Sequence, residues 1–183
     1  MKSASWNNAK IFSGVFGIVL FIILAFLLLK PSLKCFYPIK YAGEIKESSE
    51  KYKINKELTA AIISAESKFQ KNAVSHKNAK GLMQLKEETA KWCMEKYKIN
   101  GDVKNIYSPS LNIKIGCAYM SYLLEKFENE ELALAAYNAG EGNVKKWIKA
   151  QGEENLKIPF KETKKYVETV KKREKIYKFL YFS

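Results

Sequence analysis

The stretch "NKELTAAIISAESKF", Asn55–Phe69, decides the fold class. Asn55 is a helix-start residue type, because its side-chain oxygen can accept amide protons that the first turn leaves unpaired. From Lys56 to about Ser67 no proline or glycine interrupts the chain, and Leu58, Ile62, Ala65, Glu66 and Phe69 recur at helical steps. Residues three and four apart are neighbours on a helix, so the spacing predicts an amphipathic helix with one apolar face. Glu66 falls on that face and not on a polar back. A carboxylate placed there has two readings. Its stem packs while its head reaches water, or it is kept partly dry at a cleft. Loss of solvent would then raise its pKa and let it hold a proton near neutral pH.

The helical period continues on both sides. Ile45–Tyr52 fits a shorter helix, and Asn72–Gly81 is polar and turn-like. Glu87–Tyr97 fits another helix, broken by Asn100-Gly101-Asp102. Ser108 as cap and Pro109 in the first turn open a long helix carrying Leu111, Ile115, Tyr119 and Leu123 at four-residue steps. Glu130–Tyr137 ends near Gly140, Asn143–Ala150 fits one more helix, and Phe160–Phe179 closes the chain with Tyr166, Val170 and Tyr177 on a stripe. No segment alternates as a strand. The expectation is an all-α, bundle-like single domain over residues 44–183.

Ahead of it lies "IFSGVFGIVLFIILAFLLL", Ile11–Leu29, without a charge. At about 1.5 Å per residue it reaches roughly 28 Å, the thickness of a bilayer's hydrocarbon. A cleaved signal peptide usually has a shorter apolar run and a small-residue cleavage site, whereas this run ends in Leu27-Leu28-Leu29-Lys30. The expected organisation is a short cytoplasmic N-terminus at 1–10, a transmembrane anchor at 11–29 and a tether at 30–43. Flanking lysines are nearly balanced and orient the span weakly.

The chain carries 32 Lys and Arg against 19 Asp and Glu. Residues 31–183 keep 29 of the basic residues and all 19 acidic ones, a net of +10. That charge suits an anionic partner, yet the lysines are scattered among acids, and no nucleic-acid motif accompanies them, so no nucleic acid is expected. Cys35, Cys93 and Cys117 are widely spaced without metal-type clustering. Cys93 and Cys117 lie in apolar-periodic segments and read as small buried hydrophobes in preference to a disulfide. His76, the single histidine, sits in a polar loop without a metal or triad partner and reads as exposed. No cofactor or metal is expected.

Five segments carry the functional signal: "AESKF" (Ala65–Phe69), "AKGLMQL" (Ala79–Leu85), "SPSLNIKIGCAYMSYL" (Ser108–Leu123), "AAYNAG" (Ala135–Gly140) and "IPFKETKKYVETV" (Ile158–Val170). In this order and spacing they resemble the catalytic domain of the lytic transglycosylases of the soluble-lytic-transglycosylase type, relatives of goose-type lysozyme, from about Ile45 to Val170. The resemblance implies a lysozyme-like helical fold and a peptidoglycan substrate. It makes Glu66 the catalytic acid. Ser75 and Gln84 match polar residues of the substrate groove, and Gly81, Leu82 and Met83 match the loop at its floor. Tyr137 and Asn138 match the motif beside the acid, and Tyr166 matches a tyrosine whose hydroxyl points back at it. By itself each residue also has an ordinary reading: a surface amide for Gln84, a loop cap for Ser75, a helix-end cap for Asn138, and core packing for Leu82, Met83, Tyr137 and Tyr166.

The sequence departs from the family at Asn78, where glycine is frequent, and at Glu87 and Glu141, where proline is frequent. Asn tolerates a left-handed backbone, and an acid is welcome at a helix start. Ordinary glycoside hydrolysis uses two carboxylates. Glu87, Glu88 and Asp102 are the candidates for a second, and none sits in a segment resembling another catalytic site. The resemblance therefore implies cleavage of the bond between N-acetylmuramic acid and N-acetylglucosamine with closure to a 1,6-anhydro end. A lysozyme-like hydrolase and a non-catalytic glycan-binding component of an envelope complex are the alternatives. A peptidoglycan substrate places the domain on the wall side of a cell membrane.

Overall fold

The computed structural model describes residues 2–152 and 156–182, with backbone alone for 2–13 and 26–27. It forms two units, Met1–Pro38 and Ile39–Ser183.

The first unit is one helix, α1 (Lys2–Phe36). Its stretch Gly14–Phe36 has a mean hydropathy of 2.5 and is long and apolar enough to cross a bilayer. Phe16, Leu20, Phe21 and Leu24 are exposed along it. The expected span starts at Ile11, whose side chain lies outside the described residues. The helix does not stop at Lys30-Pro31, so the first half of the expected tether is helical. Proline lacks the amide that would donate to the carbonyl four residues earlier, yet the helix runs on through Pro31. Ser32 Oγ donates to the Leu28 carbonyl at 2.8 Å, beside the proline.

The second unit is built from seven α-helices among the described residues: α2 (Ala42–Tyr52), α3 (Lys56–Ser67), α4 (Glu87–Lys96), α5 (Pro109–Phe127), α6 (Glu130–Ala139), α7 (Glu141–Gln151) and α8 (Lys161–Tyr177). A 3-10 turn (Val103–Asn105) precedes α5, and a π-turn (Lys178–Phe182) follows α8. The expected all-α class holds; two isolated antiparallel bridges, Val74 with Lys80 and Lys80 with Leu85, are the exceptions to helix and turn.

α3 differs from its expected form. Leu58 to Ser64 are all buried, polar and apolar alike, so the helix has no polar back. It is the central helix of its layer, packed along α8 and against α2. Its polar residues find partners there: Thr59 Oγ1 meets Ser49 Oγ at 2.8 Å, and Ser64 Oγ accepts from Arg173 of α8 at 3.1 Å. Asn55 occupies the cap position, but its side chain makes no capping bond; instead Thr59 donates its amide (3.0 Å) and hydroxyl (3.3 Å) to the Asn55 carbonyl. Ser108 likewise caps α5 by position alone. Among the described α-helices a side-chain cap forms at Asn129, whose Oδ1 accepts from the amides of Glu131 and Leu132. Phe69 is not on the α3 face either. The helix ends at Ser67, Lys68 and Phe69 turn left-handed (φ 50° and 61°), and Phe69 packs edge-on against Tyr177.

α5 lies along α2, α4 and α6. Cys93 and Cys117 are buried and unpaired, and burial pushes both thiols up to about 12.

Candidate active site

α3 ends where the next segment begins to fold back on itself, and this places Glu66 at the wall of a cleft. The segment 70–86 makes a series of tight turns. Asn78, Gly81 and Gln84 have positive φ (59°, 79° and 47°), so Asn78 does adopt the left-handed backbone expected of it. Lys80 and Leu85 exchange both main-chain hydrogen bonds, and the Gly81 amide donates to the Ala73 carbonyl at 2.9 Å. Gly81 needs to be glycine for a second reason: a Cβ there would collide with the side chain of Asn112.

Asn112 is the post on which these turns hang. It is fully buried on α5. Its Oδ1 accepts from the Met83 amide at 2.8 Å, and its Nδ2 donates to the carbonyls of Ile106 at 2.8 Å and Lys80 at 3.1 Å. The sequence showed it as one polar letter in "SPSLNIKIG", on the face of α5 that has to be buried; that mismatch was the available signal.

The cleft holds about 390 Å³. Glu66, Ser75, Gln84, Tyr137 and Asn138 line it, together with Tyr119. Burial raises the Glu66 carboxyl to about 7, and the Tyr166 hydroxyl pulls it back partway. No cation pairs with Glu66 among the described residues. The Tyr166 hydroxyl is buried, and its geometry falls short of a full hydrogen bond to any protein group. It is thus a donor held at the carboxyl without being consumed.

The other polar side chains are partly spent on the protein. Gln84 Nε2 donates to the carbonyls of Gly81 at 2.8 Å and Ala73 at 3.1 Å, which leaves its Oε1 as the acceptor for a ligand. Ser75 Oγ accepts from the Ala79 amide at 3.1 Å, which leaves its proton to donate. Thr163 of α8, fully enclosed, donates to Asn138 Oδ1 at 2.8 Å and so leaves the Asn138 amide protons to the cleft. Tyr137 donates its hydroxyl to the Met83 carbonyl at 2.8 Å. Asn138 thus lines the cleft with its oxygen taken by Thr163, a buried contact that sequence patterning passed over.

Met83 is placed differently from the substrate contact expected of it. It is fully buried and lines no part of the cleft. Its sulfur lies against α5, where a Cβ on Gly116 would strike it. The turn at Gln84 reverses the backbone, and consecutive side chains therefore diverge: Gln84 reaches the cleft and Met83 the core.

Of the acids weighed as a second carboxylate, Asp102 accepts from the Lys104 amide, and Glu87 is paired with Lys80 and Lys91. Glu88 lines the cleft, as does Glu162, which meets Lys77 at 3.9 Å. Both are exposed. His76 is exposed too, at the same rim. Glu87 and Glu141 each occupy the first position of a helix, as the departures at these positions required.

Comparison with known proteins now decides the family. The family model described as Transglycosylase SLT domain matches residues 43–159. The chain belongs to the SLT domain family. This SLT domain is 35% identical over 142 residues to a putative soluble lytic murein transglycosylase of Haemophilus influenzae, covering 73% of this chain and 24% of that protein. It is 32% identical over 133 residues to the membrane-bound lytic murein transglycosylase E of Buchnera aphidicola, covering 66% and 59%. Among solved structures, an inactive mutant of lytic transglycosylase Slt from Pseudomonas aeruginosa superposes with a TM-score of 0.75 at 33% identity, over 80% of this chain and 25% of that one. The 70 kDa soluble lytic transglycosylase of Escherichia coli gives 0.73 at 30% identity, again over 80% and 25%. The lysozyme-like helical fold expected from the sequence is that of these SLT domains. The chain spans about a quarter of the length of the soluble relatives.

Proposed function

We propose that this protein is a membrane-anchored peptidoglycan lytic transglycosylase that cuts the β-1,4 bond between N-acetylmuramic acid and N-acetylglucosamine. The observation that carries the reading is Glu66: among the described carboxylates of the cleft it alone is desolvated, and it titrates at about 7. Such a group is half protonated at neutral pH, as a general acid should be.

Glu66 gives its proton to the glycosidic oxygen, and the bond from that oxygen to the anomeric carbon breaks. The leaving sugar departs with a free 4-hydroxyl. Glu66, now a carboxylate, takes the proton of the muramic acid C6 hydroxyl, and the C6 oxygen closes on the anomeric carbon. The 1,6-anhydro ring forms without water, and Glu66 ends protonated as it began. Tyr166 directs the carboxyl. The Gln84 Oε1, the Ser75 hydroxyl and the Asn138 amide hold the sugar's N-acetyl and hydroxyl groups. Membrane-bound lytic murein transglycosylases among the relatives and the apolar Gly14–Phe36 helix support anchoring. The substrate's location puts the N-terminus in the cytoplasm and the domain on the wall side.

Product analysis tests this. Purified glycan treated with the protein should yield anhydro-ended muropeptides by mass spectrometry, and Glu66→Gln should yield none. Hydrated reducing ends would instead favour a hydrolase, with Glu88 or Glu162, the exposed carboxylates at the cleft, as its base.

A further inference from the structure

The surplus of positive charge has no part in the chemistry at Glu66. Residues 31–183 carry a net of +10, and α8 concentrates it on one side. The helix packs on α3 and α6, and Thr163, Val167, Val170 and Tyr177 are its buried residues. At about 100° per residue the opposite side is formed by Lys161, Lys164, Lys165, Glu168, Lys172 and Lys175. All six are exposed.

Five lysines to one glutamate is not how a helix neutralises its own solvent face. Such a face places opposite charges three and four residues apart. Among the described residues none of these five lysines is in an ion pair. Their flanking neighbour Lys171, by contrast, is bonded to Glu131 at 2.6 Å. Lys161 with Lys165, and Lys172 with Lys175, are like charges on adjacent turns, which repel. An anionic partner would relieve that repulsion.

The stripe runs into an aromatic end. α8 passes into the π-turn Lys178–Phe182, where Phe179 is exposed and Tyr181 stacks on Tyr177 at 6.0 Å between ring centroids. Lys56 Nζ lies 5.8 Å from the centre of the Phe182 ring. Lysines beside aromatic rings suit a lipid surface. Ammonium groups pair with phosphates, and the rings settle at headgroup level. A bilayer is also within reach. α1 ends at Phe36 and α2 begins at Ala42, and residues 37–41 between them span at most about 18 Å when extended.

We infer that the exposed face of α8, with the turn that follows it, docks the domain on an anionic lipid surface. The inference rests on the anchoring reading of α1 for the nearness of the bilayer, and not on the reaction at Glu66. Its consequence is orientation. α8 also carries Tyr166, which acts on Glu66, and Glu162 at the cleft. Holding α8 on the headgroups therefore fixes the direction in which the cleft opens.

The test uses the full-length protein reconstituted in vesicles of phosphatidylcholine alone, or with about 30% phosphatidylglycerol. A water-soluble amine reagent that does not cross bilayers is applied briefly, and modification of each lysine is read by mass spectrometry. Lys161, Lys164, Lys165, Lys172 and Lys175 should react at least about five-fold more slowly on the anionic vesicles. Salt at about 0.5 M should remove the difference. Lys98 and Lys104, exposed between α4 and α5, should react equally on both. In the double variant Lys172→Glu, Lys175→Glu the protection of Lys161, Lys164 and Lys165 should fall below about two-fold, with no loss of thermal stability. The inference is overturned if the five lysines react equally on both lipids. It is overturned if Lys98 and Lys104 are protected as strongly, which would mark a diffuse attraction of the whole domain. It is overturned too if soluble polyphosphate protects the stripe on phosphatidylcholine vesicles as fully as anionic lipid does, because the occupant would then be a polymer. Flotation separates the two readings. A protein that leaves phosphatidylcholine vesicles refutes the anchor, and lysine protection on the anionic ones would still carry the docking face. A protein that floats with both and shows no protection keeps the anchor and loses the docking face.

Discussion

The Tyr137 hydroxyl donates to the main-chain carbonyl of Met83 at 2.8 Å and ties α6 to the turn that carries Gln84. The bond joins residues 54 apart in sequence. It also means that this phenol is committed to the protein. Tyr137→Phe should therefore cost about 1–2 kcal/mol of stability in urea unfolding, since a buried carbonyl loses its partner. Glycan affinity should change by less than about two-fold. Unchanged stability with lost affinity would show that the hydroxyl serves the sugar instead.

The pH dependence follows from Glu66. Its carboxyl titrates at about 7 against an ordinary 4.5 because burial disfavours the charge. The protonated form is the active one, so kcat/KM should fall above pH 7, approaching ten-fold per unit. Stability should move in the same direction. Between pH 4.5 and 7 the folded protein binds more protons at this group than the unfolded chain, so stability declines as pH rises through that window and levels off above it. The full difference is of order 3 kcal/mol. Burial also raises the Glu174 carboxyl to about 7, so Glu66→Gln should make this decline shallower without abolishing it and be the more stable protein at pH 8 by thermal unfolding. A wild-type stability curve that is flat from pH 5 to 8, or parallel to that of Glu66→Gln, would refute the assignment.

Tyr166 should separate stability from activity. Its buried hydroxyl lacks a full hydrogen bond, which costs folding energy, yet it lowers the pKa of Glu66. Tyr166→Phe should gain up to about 1 kcal/mol of stability, while kcat drops by at least about ten-fold and the alkaline limb of the rate profile moves to higher pH. An unmoved limb would show that the hydroxyl does not act on Glu66.

Asn112 should behave in the opposite way. Asn112→Ala would orphan the Met83 amide and two carbonyls. A loss of about 3 kcal/mol or more is expected in denaturant unfolding, with activity per folded molecule falling because the Gln84 turn is released. Wild-type stability in this variant would mean that the turns at 70–86 hold themselves.

The order of helices, the apolar span and an acid on a buried helical face were readable from the chain alone. Helix periodicity, Gly and Pro punctuation and an uninterrupted apolar run are local properties, set by a few successive residues. The left-handed turn at Asn78 came from the family resemblance, which often has glycine there, and Asn tolerates that backbone. The caps were less legible: Asn55 and Ser108 have the right side chains at helix starts, but whether such an oxygen turns inward to the first-turn amides depends on the surrounding packing, and at both positions it makes no capping bond.

Tertiary structure alone decided the rest. α3 has no polar face because α2 and α8 supply partners for its hydroxyls. Met83 and Gln84 are adjacent letters sent to core and cleft by one backbone reversal. Asn112 and Thr163 acquire their roles from residues far away in sequence. Even the proton on Glu66 belongs to this class: its residue type is written in the chain, but its pKa is set by the water that the surrounding helices exclude.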